Sequence, residues 1–268
     1  MPARLIVNLR PKTLHEAGLW PDTGPAVQAH VLRAVREVDR RLAELVHAPA
    51  GVYAGGRWPY AVTPILDANG HVDGDGLWRF EVGVLDERLV DIFARALRAA
   101  AEVRLGHSLL LVTNVEIHAI SYTDLAEQSA ATRSWRLRLV TPLTFRTDST
   151  TGAPRAIPLP TAELVFGSLL SRWEHFADPG LLDPAVAATV SEHVALADFE
   201  LRASRHLVKG PDICELGAKG WVRYEAVQAK LLSPAVLRGV TALVNFAAFA
   251  GVGDRTTKGM GCVLPLGP

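Results

Sequence analysis

Apolar residues along this chain recur with two different periods, and the order in which the periods alternate is its first legible feature. Residues 3–9 (ARLIVNL) form a short apolar run that predicts a strand. Gly24 and Pro25 then open a helix in which Val27, Val31, Val35, Val38, Leu42 and Leu45 recur at helical spacing. His47 closes that helix, and Pro49 and Gly51 stop it. YAVTPIL (60–66) and LWRFEVGVL (77–85) read as paired strands around a loop of Asn, Gly and Asp. Asp86 is placed to cap a further helix whose apolar face holds Leu89, Ile92, Phe93, Leu97 and Ala100. SLLLVTNVEIHAISY (108–122) supplies a long strand with a break expected near Asn114.

The polar stretch AEQSAATRS (126–134) reads as a linker, after which the same rhythm returns. SWRLRLVTPLTF (134–145) alternates Trp135, Leu137 and Leu139 as a strand. TDSTTGAP makes a turn, and Pro158 to Pro160 lead into a helix with Phe166, Leu169, Leu170 and Trp173 on one face. VALADFELRASRHLV (194–208) and KGWVRYEAV (219–227) alternate as strands. Ser233 and Pro234 start a last helix, a capping residue followed by proline in the first turn. MGCVLPL (260–266) ends the chain as a strand. Two βαββαβ series predict an α+β chain of two tandem ferredoxin-like (RRM-like) domains, 1–125 and 126–268. That architecture carries many unrelated functions, so it names none.

Composition narrows the picture modestly. With 49% hydrophobic and 21% charged residues the 268-residue chain can bury a sizeable core, which argues against disorder. No apolar run approaches a membrane span, and the N-terminus reads as a strand rather than a signal peptide, so the expected compartment is the cytoplasm. Cys214 and Cys262 alone make neither a disulfide framework nor a zinc site, and no metal or cofactor is expected. Net charge offers no general attraction for nucleic acid, because 28 basic residues balance 28 acidic ones. A nucleic-acid reading therefore rests on local clusters. One is Arg133, Arg136, Arg138, Arg146 and Arg155; another is Arg202, Arg205, His206 and Lys209. Only five of the basic residues are Lys, and an arginine-rich surface suits forked phosphate contacts.

The sharpest local signal is Gly251-Val-Gly253-Asp-Arg-Thr-Thr-Lys-Gly259-Met-Gly261, between the last helix and the last strand. Four glycines there predict close backbone approach and positive φ angles, and exposed amides in such a loop can cradle phosphates beside Arg255 and Lys258. A dinucleotide fingerprint fails, because the loop follows a helix and Thr256 stands where the third glycine belongs. A phosphate-binding Walker loop fails as well, since Gly259 follows Lys258.

The pattern glycine–apolar–glycine, five residues, glycine–apolar–glycine close to the C-terminus resembles the glycine-rich signature of the RAMP superfamily. The approach FAAFAGVG, the stretches TPLTFR (141–146) and PLPTAELVFGSLLSRW (158–173), and, more loosely, LAELVH ahead of WPYAVTPIL resemble the CRISPR repeat-RNA endoribonucleases of that superfamily, the Cas6 family. The resemblance implies metal-independent cleavage of CRISPR repeat RNA, with the 2′-hydroxyl attacking the adjacent phosphate to leave a cyclic phosphate and a 5′-hydroxyl. It implies that repeat RNA is the partner. Other CRISPR-associated subunits, or a second copy of the chain, are further partners it leaves open, as is a role as a subunit that binds guide RNA without cutting.

Such chemistry needs a proton acceptor, a proton donor and positive charge on the phosphorane. His47 is the first candidate, because its place at the end of the first helix matches where many family members keep a catalytic histidine, and a helix C-terminus favours positive charge. His30, one helical face earlier, is the second. Where some family members have a Tyr in the first helix and a Lys after the histidine, this chain has an apolar position near Leu32 and no Lys. Tyr53, Arg57 and Tyr60 are the nearby substitutes. The expected RNA contacts are Gly251, Gly253, Arg255, Lys258, Gly259 and Gly261 of the loop, with Arg133, Arg136, Arg138, Arg146, Arg155, Arg202 and Arg205.

Overall fold

The computed structural model describes residues 1–12, 22–48, 53, 58–67, 78–105, 108–147, 155–209 and 213–267. The first half runs β1 (Ala3–Pro11), α1 (Gly24–Val38), α2 (Arg40–His47), β2 (Tyr60–Val62), β3 (Leu66–Asp67), β4 (Trp78–Val84), α3 (Glu87–Ala99), β5 (Glu102–Leu105) and β6 (Ser108–Ala119). A short α4 (Tyr122–Glu127) follows. The second half runs β7 (Ser134–Leu143), β8 (Phe145–Thr147), β9 (Arg155–Ile157), α5 (Ala162–Phe176), α6 (Ala185–His193), β10 (Val194–Lys209), β11 (Ile213–Ala226), α7 (Pro234–Ala250) and β12 (Val263–Leu266).

Both halves build the same antiparallel sheet. The first has the order β2-β4-β1-β6, extended by β5 at one edge and by β3 on β4; the second has β10-β11-β7-β12. In each, the first strand of the series lies between the third and the fourth, which is the ferredoxin-like arrangement of a split βαβ. Alternation along the strands explains how each sheet finds its core. Leu5, Val7 and Leu9 of β1 point with Phe80, Val82 and Val84 of β4 toward α1 and α3, and all are fully buried. In the second sheet Leu137, Leu139, Val222 and Tyr224 meet Phe166, Leu169 and the apolar faces of α6 and α7.

Several elements differ from the sequence reading. The first helix is two, because Asp39 takes an extended conformation (φ −148°, ψ 102°) and its carboxylate accepts the Leu42 amide as the cap of α2. The break in β6 falls beside Asn114: the register with β1 shifts between Asn8 and Leu9, leaving Thr113 as the extra residue. The stretch expected to be a linker begins inside α4, where Tyr122 and Leu125 pack into the second core and the Tyr122 hydroxyl donates to the Leu85 carbonyl. α6 and the short β5 and β8–β9 pieces were not anticipated. Among the described residues no helix is long and apolar enough to cross a membrane.

Candidate nucleic-acid interface

The glycine loop joins α7 to β12, and all four of its glycines have positive φ (63°, 79°, 82° and 63° for Gly251, Gly253, Gly259 and Gly261). The loop folds onto itself rather than outward. Val252 donates its amide to Gly261 (2.9 Å), Gly261 to Pro142 (2.9 Å) and Asp254 to Thr144 (2.9 Å). The apolar residue of each triplet, Val252 and Met260, is a buried plug. A Cβ on Gly253 would stand 2.3 Å from the Thr144 carbonyl oxygen, so the close approach that four glycines predicted is an approach to this chain's own backbone.

That arrangement corrects one expectation. The amides of Gly251, Val252, Gly253, Asp254, Arg255, Lys258, Met260 and Gly261 all donate within the protein, so these eight are not open to a phosphate. Its cations are engaged too. Arg255 binds Glu215 through Nε (3.0 Å) and Nη2 (2.8 Å), and Arg146 binds the same carboxylate and Asp254 (2.7 Å), a four-charge cluster of zero net charge. Lys258 donates to the Val208 carbonyl at 3.3 Å, and burial with nearby Arg255 and Lys209 holds its ammonium below the usual lysine range.

A residue that sequence reasoning passed over holds the loop from behind. Arg172, inside the SRW stretch of α5, donates to the carbonyls of Ala250, Gly251 and Gly253 (the last at 2.8 Å) and so covers the C-terminal end of α7. Burial pushes its guanidinium down to about 10, with Asp254 opposing. A basic residue one helical turn from Ser168, which accepts the Gly253 amide, was the available signal.

The other arginines divide into separate groups. Arg136 and Arg138 lie on the outer face of the second sheet, opposite Arg223 and Trp221 in register. The Arg136 guanidinium carbon sits 4.2 Å from the centre of the Trp221 ring, a cation–π stack. Trp135 and Tyr224, on the other face, are core residues. Arg133, Arg155, Arg202 and Arg205 are exposed, Arg155 on β9 and the last two on β10. His206, next to Arg205 in sequence, is 1% exposed and is not a surface contact. A cleft of about 740 Å³ opens between the halves, lined by Arg4, Ile117 and His118 from the first sheet and by Asn245, Leu264 and Pro265 from the second half. Nearby, Arg4, Arg138, Arg79 and Glu81 act on the thiol of the half-buried Cys262, which loss of solvent foremost pushes up. Arg4 and Arg79 pair with Glu81 at 3.5 and 3.2 Å and belong to this set although the sequence did not single them out.

The candidate catalytic residues are placed very differently from one another. His47 is the last residue of α2 and is exposed, while Leu42, Ala43 and Val46 of the same helix anchor it to the first core. His30 is 5% exposed and meets the Phe80 ring edge-on at 6.0 Å. Its Nε2 has no hydrogen-bond partner among the described residues, and burial, then Arg33, pushes it down to about 4. Tyr53 is buried, donates to Asp86 Oδ2 at 2.7 Å, and packs on Phe176 from the second half. Burial and that carboxylate hold its phenol above the usual range. Tyr60 is likewise enclosed, with Gln28 donating to its hydroxyl at 3.3 Å. Arg57 lies outside the described residues. Neither His30 nor Tyr53 presents a free group to a ligand in this conformation. Among the described residues no group of three or more His, Cys, Asp or Glu is placed to hold a metal ion.

Comparison with known proteins finds chains with the same features. Residues 137–263, the glycine loop included, match the sequence model of the CRISPR-associated endoribonuclease Cas6. The structure of a Cas6 product complex superposes with a TM-score of 0.80 at 25% identity, covering 99% of this chain and 100% of that one. Thermus thermophilus Cas6 superposes at 0.72 with 24% identity, covering 99% and 98%. The product of a Cas6-related gene from Pyrococcus furiosus shares the fold at 0.64 with 14% identity, covering 99% of each chain. No curated protein matches the sequence. The double ferredoxin-like fold, the glycine-rich signature and these matches together support a RAMP-type protein similar to the Cas6 family.

Proposed function

We propose that this protein is an endoribonuclease that cuts CRISPR repeat RNA without a metal ion, by 2′-hydroxyl attack, to produce mature CRISPR RNA. The observation that carries the reading is the match over 99% of the chain to a Cas6 product complex. In the proposed step the 2′-oxygen bonds to phosphorus as its proton passes to water, the bond from phosphorus to the 5′-oxygen breaks, and that oxygen takes up a proton. His47 is the donor to the leaving oxygen. Its exposure at the end of α2 supports this, since it can meet a phosphate while its helix stays fixed. Arg57 is left to orient or stabilise the phosphate, because Tyr53 and His30 are enclosed.

The exposed Arg133, Arg136, Arg155, Arg202 and Arg205, with the half-buried Arg138, hold RNA phosphates, and the Trp221 and Arg136 stack offers a flat surface to a base. The four loop glycines shape the wall behind them, and Arg146, Arg255 and Lys258 reach RNA only by exchanging their present partners. We assign the two sheets to domains at 1–125 and 126–268, in a cytoplasmic protein. The enclosure of Tyr53 and His30 also supports a second reading, a subunit that binds CRISPR RNA without cutting it.

The test is cleavage of labelled repeat RNA in excess EDTA by the wild type and His47→Ala, with a 2′-deoxy substrate as control. A metal-free cut lost in both cases is the expected result. Binding without cleavage by the wild type would favour the second reading. Normal cutting by His47→Ala would remove His47 from the mechanism.

A further inference from the structure

His206 lies on β10 with 1% of its surface exposed, and its two ring nitrogens face acceptors from distant parts of the chain. Nε2 is 2.9 Å from the carbonyl oxygen of Lys258 in the glycine loop. Nδ1 is 2.9 Å from Oδ1 of Asp22, at the entry to α1, an ion-pair contact that falls short of hydrogen-bond alignment. A carbonyl and a carboxylate both only accept, so a ring with a single N–H would turn a lone pair toward one of them. A ring protonated at both nitrogens suits both, and its charge then lies against the half-buried Asp22 carboxylate.

Asp22 is itself closely held. Its other carboxylate oxygen accepts the Leu207 amide at 3.1 Å. Burial would raise its carboxyl group, but His206 and that amide outweigh burial and hold it below the usual range. Its φ of 64° is unfavourable for a residue with a side chain and persists where surrounding contacts impose it. The next two residues are anchored as well. Thr23 Oγ1 accepts the Ile65 amide at 2.7 Å, and Gly24 lies so flat on the loop that a Cβ there would stand 2.2 Å from the Lys258 carbonyl oxygen. From this seat α1 leads through Asp39 to α2 and His47.

We infer that His206 is a positioning residue for the cleavage proposed above: its imidazolium clips the start of α1 to the glycine loop and so sets the His47-bearing helix pair against the sheet that carries the RNA-facing arginines. The inference rests on the reading of His47 as the catalytic histidine.

Two experiments on the full chain test it. Long-range ¹H–¹⁵N spectra of histidine-labelled protein, with His206→Gln to assign the ring, should show a hydrogen on both His206 nitrogens in the folded chain; a ring with only one overturns the clip. Asp22→Asn, which keeps the shape but removes the charge and one acceptor oxygen, and His206→Gln are then compared with the wild type in single-turnover cleavage and in binding of a 2′-deoxy repeat RNA. Each variant should cut roughly 10- to 100-fold more slowly, as expected for a slightly misplaced catalytic group. RNA affinity should stay within about twofold, and the double variant should be no slower than the slower single one. Unchanged rates, additive losses, or losses that follow RNA affinity or melting temperature would overturn the role. A wild type that does not cut at all defeats the function reading instead, while the spectra still judge the ring.

Discussion

At the scale of single residues, the two histidines of the first helical region show how neighbours decide chemistry. His30 lies on the stripe of Val27, Val31 and Val35, which α1 turns into the core, and it is held neutral with its pKa down to about 4. The unfolded chain binds this proton near the ordinary value of 6.5. A base with a lowered folded pKa costs the fold nothing while both states are neutral, and destabilises it once the unfolded chain takes up the proton. Stability is therefore expected to fall as pH drops from about 6.5 toward 4, by about 3 kcal/mol in total if this group acts alone. Denaturation measured across that range should show the slope in the wild type and a flatter profile in His30→Leu. The apolar spacing around His30 already signalled burial, whereas His47 at the helix end stays exposed. Nothing local signalled that His206 would be enclosed, because what covers it is a loop about fifty residues away in sequence and an aspartate nearly two hundred residues away.

At the scale of elements, caps and loop geometry carry the argument. Asp86 and Ser233 act as the expected caps, accepting the amides of Arg88 and Val236. Asp39 caps a helix start that apolar periodicity hid, since Val38 and Leu42 continue the pattern across the break. The glycine loop is legible in the sequence as a special conformation, but not as a closed one. Its glycines permit the turns, but the partners of its amides are Pro142, Thr144 and Ser168, which only the fold brings near. Arg172 stabilises the same loop from α5. Arg172→Ala leaves the carbonyls of Ala250, Gly251 and Gly253 without this donor, and chemical denaturation should show a loss of about 2–3 kcal/mol. On the same helix Gly167 is exposed, and a Cβ added there would meet nothing within 4 Å, so Gly167→Ala should gain up to about 1 kcal/mol and serve as a control.

For the whole molecule, the question is what joins two sheets of the same order. The C-terminal end of α7 lies against the first sheet, so close that a Cβ on Gly83 of β4 would be 1.8 Å from the Phe249 carbonyl oxygen. That neighbour is backbone and cannot swing aside. Gly83→Ala should therefore cost about 1–3 kcal/mol, and should do so by parting the halves. Thermal unfolding of the variant should separate into two transitions or start at lower temperature, whereas a single unshifted transition would show that this contact is not a joint. Tyr53 on Phe176, Gly24 on Lys258, and His206 with Asp22 are further contacts across the same junction.

The sequence by itself determined the two βαββαβ series, the core faces, most caps and the special conformation of the glycine loop. Each is written in residues close together in the chain, where periodicity, capping side chains and missing Cβ atoms act directly. It also carried the family signature, and it placed His47 at a helix end. The tertiary structure alone decided which polar groups are free. Glu215 engages Arg146 and Arg255, Asp86 takes the Tyr53 hydroxyl, and Phe80 covers His30. Whether a charge or a hydroxyl can meet a ligand depends on partners distant in sequence, and those meet only when the two sheets pack together.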